Sequence, residues 1–196
     1  MLLKITTLKQ SLCALVILGT VTPHLLAADV GKGDVFGQGG YYTEFGQGGG
    51  TWAIVGGGAG ANVGRRFALF GEFNYLRPST TLGGVSATAS LYQAGAGARI
   101  FIPLHSERFR PYLPVVGGFL RGKATVAVKG IEYAHAWVSG AYVGAGFGTE
   151  IGITKRFGLR PELRYFREFF YPEYGQGSQN NGLRVMIGAY YRLGLR

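Results

Sequence analysis

Apolar and polar side chains alternate with a period of two along most of the chain beyond residue 28. Between Trp137 and Ile153 the odd positions are mostly apolar, while the even ones are mostly glycine and include Glu150. A two-residue repeat of this length describes a β-strand with two unlike faces. The same split runs through 183–193, where Leu183, Val185, Ile187, Ala189, Tyr191 and Leu193 oppose Arg184, Met186, Gly188, Tyr190 and Arg192. In 67–75, Phe67, Leu69, Gly71, Phe73 and Tyr75 oppose Ala68, Phe70, Glu72 and Asn74; in 159–171, Arg160, Glu162, Arg164 and Glu168 fall on one face.

These patterns predict eight strands, at 34–45, 51–63, 67–77, 86–102, 111–122, 136–153, 158–171 and 182–194. Alternation alone also fits a soluble sandwich, but strand length separates the two. A membrane-crossing strand needs about 9 to 11 tilted residues, whereas soluble sheets average about 5 or 6. The links alternate as well: those at 64–66, 103–110 and 154–157 are mostly short, those at 78–85, 123–135 and 172–181 longer and more polar. An even number of strands with short and long links on opposite sides predicts an all-β, eight-stranded, antiparallel up-and-down transmembrane barrel with both termini in the periplasm. Pro111 is expected to open its strand and Pro114 to mark a bulge or local distortion, because proline lacks a ladder donor. Gly37, Gly39, Gly40, Gly46, Gly48, Gly49 and Gly50 suggest bulges in the first hairpin.

Composition narrows this picture. Of 196 residues, 35 are glycine, 14% are aromatic and only 15% are charged, an unusual balance for a soluble domain. No continuous apolar 20-mer follows residue 28, so a membrane reading must be a β reading. The N-terminus carries Lys4 and Lys9, the apolar run Ser11 to Gly19, and then Leu25-Leu26-Ala27-Ala28. That order predicts a secretory signal peptide at 1–28 and one barrel domain at 29–196. Cys13 is the chain's one cysteine, so the exported part would cross an oxidising compartment without a disulfide.

The segments "RPYLPVVGGF", "LRPELRYF" and "LRVMIGAYYRLGLR" resemble the small outer-membrane β-barrels grouped with the OmpA transmembrane domain. The resemblance extends over 29–196 and implies a bacterial outer-membrane location. An eight-stranded barrel is only wide enough to be filled by its own side chains. The register places Glu72, Arg99, Glu150, Arg160, Glu162, Arg164, Glu168, Arg184 and Arg192 inside, beside Gly56, Gly58, Gly60, Gly95, Gly97, Gly140, Gly144, Gly146 and Gly148, which would leave room for arginine. Ionised groups withdrawn from water must find partners, so an internal Arg/Glu network is expected.

Candidate chemistry is sparse. His135 and Ser139 share a strand face but lie about 13 Å apart along it at roughly 3.3 Å per residue, beyond reach of a base and its nucleophile. His105, Ser106 and Glu107 sit in a predicted turn. The match Gly56-Gly57-Gly58-Ala59-Gly60-Ala61 has no helix after it to receive a pyrophosphate. No metal-ligand spacing occurs, no cofactor is implied, and the arginines form no dense tract of the kind that binds nucleic acid. The expected partners are instead outer-membrane lipids. Arg65, Arg66, Arg108, Arg110, Lys155 and Arg156 are placed at the periplasmic turns. Arg77, Arg121, Lys123, Lys129 and Arg167 are placed towards the outer rim, within reach of lipopolysaccharide phosphates, and Tyr133, His135, Tyr171 and Tyr174 form a possible contact surface. The expected role is a structural or interaction protein rather than an enzyme, with a narrow gated channel as the alternative and a lipid A-modifying barrel third.

Overall fold

A computed structural model describes residues 33–45, 50–64, 66–77, 79–82, 85–104, 106, 108–128, 131–172 and 177–194. The segment expected to be a signal peptide, 1–28, lies outside the described residues, as do Arg65, His105, Glu107, Lys129 and Tyr174. The strands are β1 (Gly33–Phe45), β2 (Thr51–Asn62), β3 (Phe67–Leu76), β4 (Ser79–Leu82), β5 (Val85–Phe101), β6 (Phe109–Val128), β7 (Ile131–Gly152), β8 (Phe157–Pro172) and β9 (Ser178–Arg192). All pairings are antiparallel, in the order β3-β2-β1-β9-β8-β7-β6-β5-β4, with β3 also paired to β5.

The β3–β5 pairing, from Phe67 opposite Ile100 to Leu76 opposite Leu91, closes the sheet into a barrel of eight staves. The short β4 carries the chain beyond β3 and pairs only with β5, Ser79 opposite Thr88. Closure leaves the staves no unpaired edge. The start of β1 and the end of β9 meet at one end of the barrel, where the Leu193 amide donates to the Gly33 carbonyl at 2.8 Å. The described turn residues Val63, Gly64, Arg66, Ser106, Arg108 and 153–156 share this terminus end, whereas β1, β4, β6 and β8 finish at the far end. The turn chemistry is local. Thr154 Oγ1 accepts from the amides of Arg156 and Phe157, and Ser106 Oγ accepts from that of Phe109. Gly64 bends the 63–66 turn at a φ of 122°, a conformation that costs glycine least.

Three details of the sequence reading are corrected. Among the described residues the first hairpin contains no bulge: β1 keeps one register against β2, Gly33 opposite Ala61 through Thr43 opposite Thr51, and one against β9, while Gly46, Gly48 and Gly49 lie outside the described residues. Its glycines are held from both flanks, so they cannot slip independently. At Pro114 the ladder to β7 lapses, the local distortion expected there, but no bulge forms, since Tyr112–Gly148 and Val115–Ala145 keep the same register on either side. The register shift lies instead between Val126 and Ala127, near the β6–β7 tip. The strands are also longer than expected. β6 begins before Pro111, at Phe109, and the predicted loop 123–135 is mostly the hairpin formed by β6 and β7.

The barrel's two faces reverse the arrangement of a soluble protein. Outward positions expose large apolar side chains such as Phe119 at 74%, Val55, Phe73, Val143, Leu163, Val185 and Ile187. Inward positions carry charge. A continuous exposed apolar wall of this extent would aggregate in water and matches an apolar solvent instead.

Candidate functional site: the barrel interior

Period two fixes which residues face inward, and the structure shows what they do there. At the terminus end Glu150 accepts from Arg160 at 2.8 Å, Arg192 at 3.0 Å and Arg110 at 3.3 Å. Arg160 also donates to Asp34 at 2.9 Å, and Asp34 accepts from Arg99 at 3.3 Å. One layer further in, Arg164 donates to both oxygens of Glu72 at 2.9 Å and pairs through Nε with Glu162. Tyr112 donates to Glu162 at 2.7 Å. Asn74 donates to Glu72 and accepts from Gln38. Towards the far end Arg184 donates to Gln93 at 2.6 Å, while Gln93 and Tyr42 each donate to Glu168 at 2.9 Å.

All nine charged residues placed inside by the sequence therefore lie inside, in linked clusters. Arg99 and Arg184 are 0% exposed and Arg164 1%. Three charged members were missed, one of them Glu44 near the far end, which accepts from Asn180. Asp34 sits in the glycine-rich first hairpin, where no apolar alternation marks its face; the opposition of Phe36 and Tyr42 to Val35 and Tyr41 was the available signal. Arg110 was assigned to a turn, but β6 starts earlier than Pro111 suggested, and Arg110 points inward onto Glu150 and lies 4.0 Å over the Phe101 ring.

The glycines make room mainly for aromatic rings, with Gly60, where a Cβ would meet Arg99 Nη1 at 3.2 Å, making room for arginine. Gly148 faces Tyr112 across the β6–β7 ladder, and Gly158 faces Tyr190 across β8–β9. A Cβ at either glycine would meet the opposing ring at 2.5 Å, too close for any side chain. Tyr142 covers Gly95 and Gly118, and Tyr42 covers Gly182, in the same manner. Such rings shield an otherwise bare strand and pin its register. They also present faces to the cations: Arg184 lies 3.9 Å from the centroid of Phe166, and Arg99 lies 4.4 Å from Phe70 and 4.9 Å from Phe36. Where Arg99 Nε and Nη2 and Arg184 Nε and Nη1 lack a hydrogen-bond acceptor among the described residues, these rings supply the remaining attraction.

The rim residues behave differently. Arg77, Arg121 and Arg167 are exposed and Lys123 is half-buried. Arg121 lies 5.1 Å from the Trp137 ring; Arg167 lies 5.7 Å from Phe169 and donates to Gln179 at 2.6 Å. They do not form one cluster. Tyr171 is 61% exposed, and Ser139 is exposed on the outward face of β7. The side chains of Tyr133 and His135 lie outside the described set. Among the described residues no group of His, Cys, Asp or Glu is arranged to hold a metal ion.

Closure in eight staves, an apolar exterior and a charged interior together define a small membrane-type β-barrel. Solved structures give that class its name: the chain has the fold of the eight-stranded bacterial outer-membrane barrels. It aligns with Neisserial surface protein A (NspA) at a TM-score of 0.65 and 14% identity, over 81% of this chain and 96% of that one. It aligns with Ail, the attachment invasion locus protein of Yersinia pestis, at 0.56 and 16%, over 83% and 99%. A major outer membrane protein from Thermus thermophilus aligns at 0.53 and 15%, over 83% and 99%. No protein-family model matches the sequence, and no curated protein matches it.

Proposed function

We propose that this chain is a bacterial outer-membrane protein whose barrel is a closed, non-conducting anchor that presents its far-end links for contact, with both ends of the barrel segment in the periplasm. The carrying observation is the interior. Fully buried Arg99, Arg164 and Arg184, together with Tyr42, Tyr112, Tyr142 and Tyr190, occupy the cross-section at successive levels. An ion following the axis would have to break ion pairs whose members are costly to leave uncompensated. A gated channel would need those pairs to reorganise, and a catalytic site would need a nucleophile and base in contact; no catalytic step belongs to this reading.

The likeness in fold to outer-membrane proteins supports the location. The exposed apolar wall supports a lipid solvent. In the same reading Arg77, Arg121, Lys123 and Arg167 meet lipopolysaccharide phosphates at the far end, and Arg66, Arg108, Lys155 and Arg156 meet phospholipid headgroups at the terminus end. Refolding residues 29–196 into maltoside micelles and comparing boiled with unboiled samples on SDS gels tests the barrel, with a shift in mobility expected. Reconstitution of the shifted species into planar bilayers tests closure. The expected result is no resolvable conductance; steady single-channel currents from the heat-modifiable species would overturn the closed-anchor reading in favour of a channel.

A further inference from the structure

Above the level of Glu168 the interior changes character. A cavity of about 140 Å³ opens there, with a mostly apolar wall that includes Tyr42, Trp52, Leu76, Leu91 and Phe170 and is bordered by Glu44 and Glu168. That is the size of a single ring, since apolar cavities of about 150 Å³ accept benzene. Tyr42 and Trp52 stand with ring centroids 6.0 Å apart and planes inclined by 38°, forming two walls of a corner. The two carboxylates are held by neutral donors. Glu44 accepts from Asn180, and Glu168 accepts from Tyr42 and Gln93. The nearest interior guanidinium, Arg184, is engaged with Gln93 and with the face of Phe166.

Such a pocket combines the two features that attract an organic cation. Aromatic faces bind a positive charge through their quadrupole, more strongly when water is excluded, and a carboxylate with an open lone pair adds a charge-assisted hydrogen bond. An anion would meet two carboxylates and is disfavoured. We propose that the far-end cup binds a small organic ammonium ion carrying an apolar body no larger than one ring. The ammonium group sits between Glu44 and Glu168, and the apolar body packs against Trp52, Leu76, Leu91 and Phe170. This site needs only the closed barrel, and it holds whether or not the barrel conducts.

Trp52 makes the test direct, because Trp137 is the only other tryptophan and lies on the outward face. In the Trp137→Phe variant, folded in maltoside to avoid choline headgroups, Trp52 fluorescence is titrated with benzylammonium, with benzyl alcohol as its neutral counterpart and with benzoate. Benzylammonium is expected to give a saturable change, with benzyl alcohol about tenfold weaker or worse and benzoate silent. Glu44→Gln and Glu168→Gln are each expected to weaken benzylammonium about fivefold or more. Heat-modifiable mobility checks that each variant folds. Should the buried Glu168→Gln variant fail that check, the half-exposed Glu44→Gln still decides. Equal binding of the alcohol and the ammonium would reduce the cup to an apolar hole and overturn the proposal. So would the absence of saturation by benzylammonium in the millimolar range with the folded protein.

Discussion

The two halves of the barrel interior solve the same problem differently. Near the terminus end, carboxylates meet guanidinium groups: Glu150 with Arg110, Arg160 and Arg192, Asp34 with Arg99 and Arg160, and Glu72 and Glu162 with Arg164. Near the far end, Glu168 and Glu44 are held by tyrosine, glutamine and asparagine beside Leu76, Leu91, Leu120 and Phe170. Guanidinium groups and carboxylates are balanced along the described interior, yet Arg110 and Arg192 stand at one mouth and Glu44 and Glu168 near the other. The contrast teaches that a closed barrel can be sealed by charge at one end and left receptive at the other, from a balanced set of residues.

The largest effect should come from breaking the sealed half. Glu72→Ala leaves Arg164 and Arg184 without their shared carboxylate, and urea unfolding of the reconstituted barrel should show a loss of about 3 to 5 kcal/mol, the usual consequence of stranding a buried charge. Next in size is Gly148→Ala, whose Cβ drives the Tyr112 ring away from Glu162; about 1 to 3 kcal/mol is expected by the same measurement. The tyrosine should also lose its buried near-ultraviolet dichroism. In the receptive half, Glu168→Gln removes a charge held only by neutral donors, so a loss of about 1 kcal/mol is expected. A loss as large as that of Glu72→Ala would erase the distinction between the halves. Smallest of all is Arg121→Gln on the outward face, with a change below about 1 kcal/mol. Its effect should appear in weaker, salt-sensitive binding to lipopolysaccharide-containing vesicles.

How much of this was legible depended on how strongly each residue's neighbours marked its face. Glu150, Arg160, Glu162, Arg164 and Glu168 lie in strands where one face is apolar, and their inward position follows from parity alone. Asp34 lies where glycine removes that contrast, so its partnership with Arg160 and Arg99 was invisible. The β6–β7 extension was read as a loop because Lys123 to His135 lacks large alternating apolar groups, although Thr125, Val126 and Val128 carry strand propensity. The pairing of Tyr112 with Gly148 and Tyr190 with Gly158 was beyond reach for a different reason. Parity tells which side a ring faces, but only register between distant strands tells which glycine it covers. The apolar cup is similarly a product of register, since its walls come from all eight staves, β1, β2, β3 and β5 to β9.

The hydrogen bond from Leu193 to Gly33 also bears on how the polypeptide can be cut and rejoined. Because β1 and β9 are paired like any other neighbours, the ring of staves has no structurally privileged first member. Joining the two ends through a short linker and opening the chain at the 153–156 turn should yield a permuted barrel with the same interior. Its assembly order would differ, however, since the longest-range pairing would become a local hairpin and a present hairpin would become the seam. A permutant that folds faster in detergent would identify the β1–β9 seam as the slow step of barrel closure.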